Sequence, residues 1–93
     1  ILYLQSPQNG GELKIYDKQW CKDDESQRHP DFGYSTNVVD GVDYTTIFPV
    51  VGNLVLLNPN FYHKIESVFG TKHRISMGFF FAQSSENNLF CWS

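Results

Sequence analysis

Two groups in this sequence stand at a spacing that can do chemistry. An imidazole, His63, closes the run Asn58-Pro59-Asn60-Phe61-Tyr62-His63, and eleven residues later Arg74-x-Ser76 opens the next apolar run. Imidazole is the commonest metal ligand among side chains. A guanidinium presents a planar fork that grips a carboxylate through two parallel charge-assisted hydrogen bonds. Ser76 lies two residues beyond Arg74, so on a strand it faces the same way and can add a further donor. This pairing suits a small β-barrel that holds a metal and the far carboxylate of an organic acid. A single histidine cannot hold a catalytic metal alone, so further ligands are required.

The elements that must carry these groups read as short strands. Ile1-Leu2-Tyr3-Leu4 is β-like, Ser6 to Gly11 is a turn cluster, and Glu12-Leu13-Lys14-Ile15-Tyr16 alternates polar and apolar. The two runs with a turn between them predict a hairpin. Tyr44 to Pro49 is β-prone, and Asn53 to Asn58 is apolar on both faces, as a central strand is. Tyr62 to Val68 alternates again. His73 to Ala82 is the longest strand candidate, with Arg74, Ser76, Gly78 and Phe80 on one face and Ile75, Met77, Phe79 and Phe81 on the other. The three phenylalanines are expected to be mostly core. No helical periodicity and no repeat is present. Several short strands with turn signals between them predict an all-β barrel or sandwich.

Asp17 to Asp43 is polar and reads as a long surface excursion, which on a compact domain is either a binding loop or a mobile connector. Within it, Asp23, Asp24 and Glu25 read as a solvated face, as does Asp17. Trp20, like Trp92 near the end of the chain, reads as a packing residue.

Length and composition narrow the class. The chain has 93 residues, so it holds at most one domain, and its eight Phe, five Tyr and two Trp indicate a packed protein rather than a disordered one. A net charge of −3 with no Lys/Arg cluster argues against a nucleic-acid partner. No apolar run reaches the ~18–20 residues of a membrane span. Cys21 and Cys91 are too few for a disulfide framework and read as free thiols, which points to a reducing, cytoplasmic setting. The chain opens at Ile1 within an apolar run, which suggests a piece of something longer.

In this order the signals resemble the C-terminal half of the double-stranded β-helix of Fe(II)/2-oxoglutarate-dependent oxygenases, most of all the prolyl-hydroxylase-like branch. Four segments carry the resemblance. Leu2-Tyr3-Leu4 with Gly10-Gly11-Glu12-Leu13 is similar to that branch's "YL…GGxL" hairpin, and Pro49-x-x-Gly52-Asn53-Leu54-Val55-Leu56-Leu57 to its "P…G.L.LF" strand. His63 stands where the second iron histidine stands. Arg74-x-Ser76 stands where the 2-oxoglutarate-binding arginine and its hydroxyl partner stand.

The resemblance implies a jelly-roll or cupin-like fragment, 1–93, that lacks the domain's N-terminal strands and helices. It implies Fe(II) and 2-oxoglutarate as cofactors, with His63 on the metal. Arg74, Ser76, Tyr3 and Leu13 would line the cosubstrate pocket, and Phe80 the substrate pocket. The implied reaction oxidises an unactivated C–H bond of a small-molecule or peptide substrate, with succinate and CO2 as coproducts. Hydroxylation is the first outcome. Halogenation is the second, for relatives in which Gly or Ala replaces the iron carboxylate.

The family's first histidine and carboxylate form a His-x-Asp/Glu motif before the hairpin. No such motif precedes Ile1, so an upstream segment or a second chain is expected to supply it. His29-Pro30-Asp31 has the right letters in the wrong topological place, and it reads as an exposed turn. His73 points away from Arg74 on a strand and reads as structural or exposed. A non-catalytic cupin-type binding module with a degenerate metal site is the alternative. A cupin-class metal enzyme without 2-oxoglutarate, which would not need Arg74 and Ser76, is a third.

Overall fold

The computed structural model describes all of residues 1–93. In chain order the strands are β1 (Leu2–Gln5), β2 (Asn9–Gly10), β3 (Leu13–Gln19), β4 (Arg28–His29), β5 (Gly33–Tyr34), β6 (Tyr44–Ile47), β7 (Phe61–Ile65), β8 (Val68–Phe69), β9 (Ile75–Met77), β10 (Phe80–Gln83) and β11 (Leu89–Trp92). The helical pieces are two short 3-10 turns, Lys22–Gln27 and Thr36–Val39. No helix is long and apolar enough to cross a membrane. Every strand pairing is antiparallel. The expected all-β, jelly-roll-like class is the one the chain adopts.

The chain divides into two compact units. The first comprises Ile1–Gly10, Pro49–Leu56 and Val68–Ser93. Here β1 pairs with β9 in the register Leu2↔Met77, Tyr3↔Ser76 and Gln5↔Ile75, with an irregularity after Tyr3. Along the other edge of β1, Tyr3 donates its N–H to the Asn53 carbonyl at 3.1 Å and accepts from Gly52 N–H at 2.9 Å. Tyr3 thus has β9 on one side and the turn at Gly52-Asn53 on the other, and it is fully buried. β2 pairs with β8. β10 and β11 form a hairpin in which Phe80 lies opposite Trp92, and the two rings stack at 5.9 Å.

Three sequence expectations change in this unit. β1 and the Glu12 run do not form a hairpin. Gly10 and Gly11 both take left-handed φ, 77° and 75°, and β1 and β3 join different sheets. The stretch 53–58 does not form a central strand; its residues 53–55 run beside the start of the chain with one bridge, Leu2↔Leu54. The long strand over 73–82 is broken at Gly78-Phe79 into β9 and β10, at the residue with no side chain to pack. Because β10 pairs only with β11, Phe79, Phe80 and Phe81 are partly exposed rather than core.

The second unit comprises Gly11–Phe48 and Leu57–Ser67, and its centre is the sheet β6-β3-β7. Leu13 lies between Ile47 and Ile65 on the flanking strands and is fully buried. Lys14 and Lys64 are cross-strand partners, a repulsive pair. Glu66 offsets it by accepting from both ammonium groups, at 2.9 and 3.0 Å. Ile15 is opposite His63. The polar stretch after β3 carries its own structure, namely a 3-10 turn, the β4–β5 hairpin and a second 3-10 turn. That second turn is capped by Ser35, whose Oγ accepts from Asn37 N–H at 3.3 Å.

Candidate functional site

In the first unit, Arg74, Tyr3 and Ser76 lie together. Tyr3 and Ser76 are directly opposed across β1 and β9, so their side chains share a face. The Arg74 guanidinium sits over the Tyr3 ring, its Cζ 5.1 Å from the centroid. Arg74 Nε and Nη2 are buried without a hydrogen-bond partner, and so is the Tyr3 hydroxyl. Nε–H and Nη2–H lie along one edge of the guanidinium, the edge that takes a carboxylate side-on. Lys14, Lys18, Arg28 and Lys64 each meet a carboxylate, whereas Arg74 meets none. Arg74 is half-buried as a residue, but buried guanidinium donors left unspent are costly unless an acceptor completes them. The unspent edge therefore fits a carboxylate.

In the second unit, His63 sits on β7, exposed, with Nδ1 2.8 Å from the Phe61 carbonyl. A carbonyl can only accept, so Nδ1 carries the proton, and it is Nε2 that is left for a ligand. A backbone-anchored Nδ1–H with a free Nε2 is the arrangement of a ligating histidine. His63 lines a cleft of about 620 Å³ whose walls include Tyr16, Trp20, Phe32, Tyr34 and Tyr62. No group of three or more His, Cys, Asp or Glu in the chain could hold a metal ion, so His63 fits a metal only as one ligand of a set.

The cleft wall is tied together by two carboxylates. Asp24, expected at a solvated face, is only 7% exposed. It accepts from Tyr62 hydroxyl at 2.9 Å, Lys18 Nζ at 3.2 Å and Cys21 Sγ at 3.3 Å. Lys18 Nζ also donates to the Val38 carbonyl at 2.8 Å, which fastens the second 3-10 turn. The Tyr62 hydrogen bond holds Asp24 below its ordinary pKa, helped by Lys18 and Cys21 against partial desolvation. Tyr62 is pushed upward, first by desolvation and then by Asp24. Glu25 accepts from Trp20 Nε1 at 2.9 Å and from the Tyr34 hydroxyl. Those bonds, Tyr34 first, lower its pKa.

Of the residues singled out by sequence, Tyr3, Arg74 and Ser76 are brought together in the first unit. Leu13 is covered by its own sheet. Phe80 is 54% exposed and stacks on Trp92. His29-Pro30-Asp31 forms the exposed turn of the β4–β5 hairpin, with Asp31 N–H donating to His29 Nδ1 at 3.1 Å. His73 is exposed, and its carbonyl accepts from Gln5 Nε2 at 2.9 Å. Cys21 and Cys91 are free and exposed. Sequence reasoning missed the Asp24 network and the aromatic cleft. The available signal was Trp20, Phe32 and Tyr34 standing inside an otherwise polar stretch.

Comparison with known proteins gives these positions a family. The model of the family described as carrier-protein-independent halogenase WelO5 matches residues 1–93. The L-gamma-glutamyl-L-propargylglycine hydroxylase of Streptantibioticus cattleyicolor is 29% identical over 91 residues, 98% of this chain and 34% of that protein. The Leucinostatins biosynthesis cluster protein S of Purpureocillium lilacinum is 32% identical over 63 residues, 63% of this chain and 26% of that protein. The chain thus spans about a third or less of the length of these curated relatives. No solved structure matches. A halogenase family and a hydroxylase relative both denote oxidising enzymes, and this chain belongs to the carrier-protein-independent halogenase WelO5 family.

Proposed function

We propose that this chain is the cosubstrate-binding part of an Fe(II)- and 2-oxoglutarate-dependent oxygenase that oxidises an unactivated C–H bond. The observation that carries the reading is the buried Arg74 edge, with Nε and Nη2 unpartnered beside the orphaned Tyr3 hydroxyl. Arg74 binds the far carboxylate of 2-oxoglutarate side-on, Tyr3 donates a further hydrogen bond, and Ser76 fixes the carboxylate's orientation. His63 contributes Nε2 to the metal, its ring held by Nδ1–H on Phe61. Leu13 and Phe80 take their pocket-wall roles from the resemblance, as does the prolyl-hydroxylase-like pattern of the four sequence segments. With iron and 2-oxoglutarate bound, dioxygen would be the oxidant, taking two electrons from 2-oxoglutarate, which leaves as succinate and CO2, and two from the substrate C–H bond.

The remaining iron ligands come from an upstream segment of the protein or from a second chain. The reaction outcome, hydroxylation or halogenation, follows from whether those ligands include a carboxylate. The hydroxylase relative supports the first outcome and the halogenase family supports the second. The unpaired thiols support a cytoplasmic setting.

Arg74→Met in the intact protein tests the reading. Removing one partner of a buried charged pair costs about 2–5 kcal/mol. 2-Oxoglutarate should therefore bind at least about 30-fold more weakly, while Fe(II) affinity measured without cosubstrate stays within about threefold. Parallel loss of both would contradict the assignment.

A further inference from the structure

We infer that Tyr62, Tyr34 and Trp20 form a relay for one-electron oxidation that runs from the strand carrying His63 to the surface, with Asp24 and Glu25 taking the protons the rings release. Its role is to drain a stray oxidising equivalent before it damages the protein. The inference goes beyond the oxygenase reading and takes from it only the source of the oxidant, dioxygen turned over at a metal in the absence of substrate.

The rings stand in succession. Tyr62 is the neighbour of His63 on β7, and its ring meets that of Tyr34 edge-on, with centroids 5.3 Å apart. The Tyr34 hydroxyl and Trp20 Nε1 both donate to one oxygen, Glu25 Oε1. Trp20 at the far end is 47% exposed, within reach of a reductant in solution. Each ring also has its own proton acceptor, because Tyr62 donates to Asp24 at 2.9 Å while Tyr34 and Trp20 donate to Glu25. A phenol or indole that loses an electron becomes a strong acid. An ionised carboxylate already bonded to its O–H or N–H takes that proton and can hold it. Neutral radicals result, and no new positive charge is left on a partly desolvated ring. The Lys18 ammonium, 5.7 Å over the Tyr62 ring, disfavours the loss of an electron there, which sends the vacancy outward to Tyr34.

The steps balance as follows. The oxidant takes one electron from Tyr62, and the hydroxyl proton passes to Asp24. Tyr34 gives an electron to the Tyr62 phenoxyl; Asp24 returns the proton to Tyr62, and the Tyr34 proton passes to Glu25. Trp20 then gives an electron to the Tyr34 phenoxyl; Glu25 returns that proton and takes the one on Trp20 Nε1. A solution reductant such as ascorbate gives one electron to the indolyl radical and its own proton to water, and Glu25 returns the last proton to Trp20. The oxidant has gained one electron, ascorbate has lost one, and the protein is unchanged.

Pulse radiolysis of the intact, metal-free protein tests the relay by loading it from the exposed end. Azidyl radicals take one electron from indoles and leave as azide, and absorbance follows the indolyl radical giving way to phenoxyl. A component of that transfer should be first order, independent of protein concentration, slower in D2O, and absent from Trp20→Phe. Tyr34→Phe, which keeps the ring against Tyr62, should slow it at least about tenfold, equivalent to about 1.4 kcal/mol of barrier. Glu25→Gln, which still accepts hydrogen bonds but cannot hold the proton, should slow it as well. A purely structural role for these residues would move none of these rates.

Transfer that survives Trp20→Phe unchanged, or that ignores Tyr34→Phe, would overturn the relay. A rate indifferent to both Glu25→Gln and D2O would overturn its coupling to proton transfer. Titration with 2-oxoglutarate alongside separates the two claims. A failed relay with 2-oxoglutarate still held by Arg74 removes only the relay. Transfer as expected with no 2-oxoglutarate binding supports the relay and removes the oxygenase reading.

Discussion

Tyr3→Phe separates a cosubstrate cradle from an ordinary core residue, because it should move stability and binding in opposite directions. The Tyr3 hydroxyl is fully buried and has no partner. An unsatisfied buried polar group costs about 1–3 kcal/mol. Phenylalanine keeps the ring under the Arg74 guanidinium, 5.1 Å from its Cζ, and deletes only the oxygen. The ligand-free protein should therefore gain stability, by about 1 kcal/mol if ordered water meets part of the present cost. Bound 2-oxoglutarate loses a hydrogen bond to a charged group, worth about 1.5–3 kcal/mol, or roughly 10- to 150-fold in affinity. Denaturant unfolding with and without saturating 2-oxoglutarate reads both quantities on one sample. The variant should be more stable than the parent alone and less stabilised by ligand. A variant that is destabilised alone and binds 2-oxoglutarate normally would refute the cradle.

Further outcomes follow from the same geometry. Ser76→Ala should weaken 2-oxoglutarate by about 1.5–3 kcal/mol, the size of one hydrogen bond to a charged group, with Fe(II) binding unaffected, as calorimetry would show. Tyr62→Phe removes the hydroxyl that donates to buried Asp24. It should cost about 1.5–3 kcal/mol and raise amide exchange selectively over residues 21–39. In acid the same segment should open early. Asp24 and Glu25 both have folded pKa values below their ordinary 3.8 and 4.5. Their contribution is therefore present above those ordinary values and is lost as pH falls through the depressed ones. Amide exchange of 21–39 should then be flat from neutral pH to about 5 and accelerate below about 4, after correction for intrinsic rates.

How much of this was legible in the sequence depended on whether a feature was local. Alternation marked β3 and β7, and Ser76 fell on β9 opposite Tyr3, with Arg74 just before that strand. The all-β class followed from the same signal. Pairing partners were not legible. Gly10 and Gly11 announced a turn, but a left-handed pair serves a hairpin and a change of sheet alike, and here it made the second. Gly78 split a strand whose side-chain pattern ran unbroken from Arg74 to Phe81. Asp24 was hidden for another reason. In a run of charges, nothing local shows that Tyr62, 38 residues away, donates to one carboxylate and leaves its neighbours in water. The aromatic cleft was missed because Trp20, Phe32 and Tyr34 have no period; the fold gathers them.

The central claim is that Arg74 holds 2-oxoglutarate for a metal that His63 helps to bind. Anaerobic calorimetric titration of 2-oxoglutarate into the intact protein, with and without Fe(II), tests it most directly when the parent and His63→Ala are compared. In the parent, Fe(II) should tighten 2-oxoglutarate, and by linkage 2-oxoglutarate should tighten Fe(II) by the same factor. His63→Ala should abolish that coupling and leave the weaker, metal-independent binding that Arg74 supports. Binding of 2-oxoglutarate that ignores both Fe(II) and His63, or no binding at all, would contradict the account.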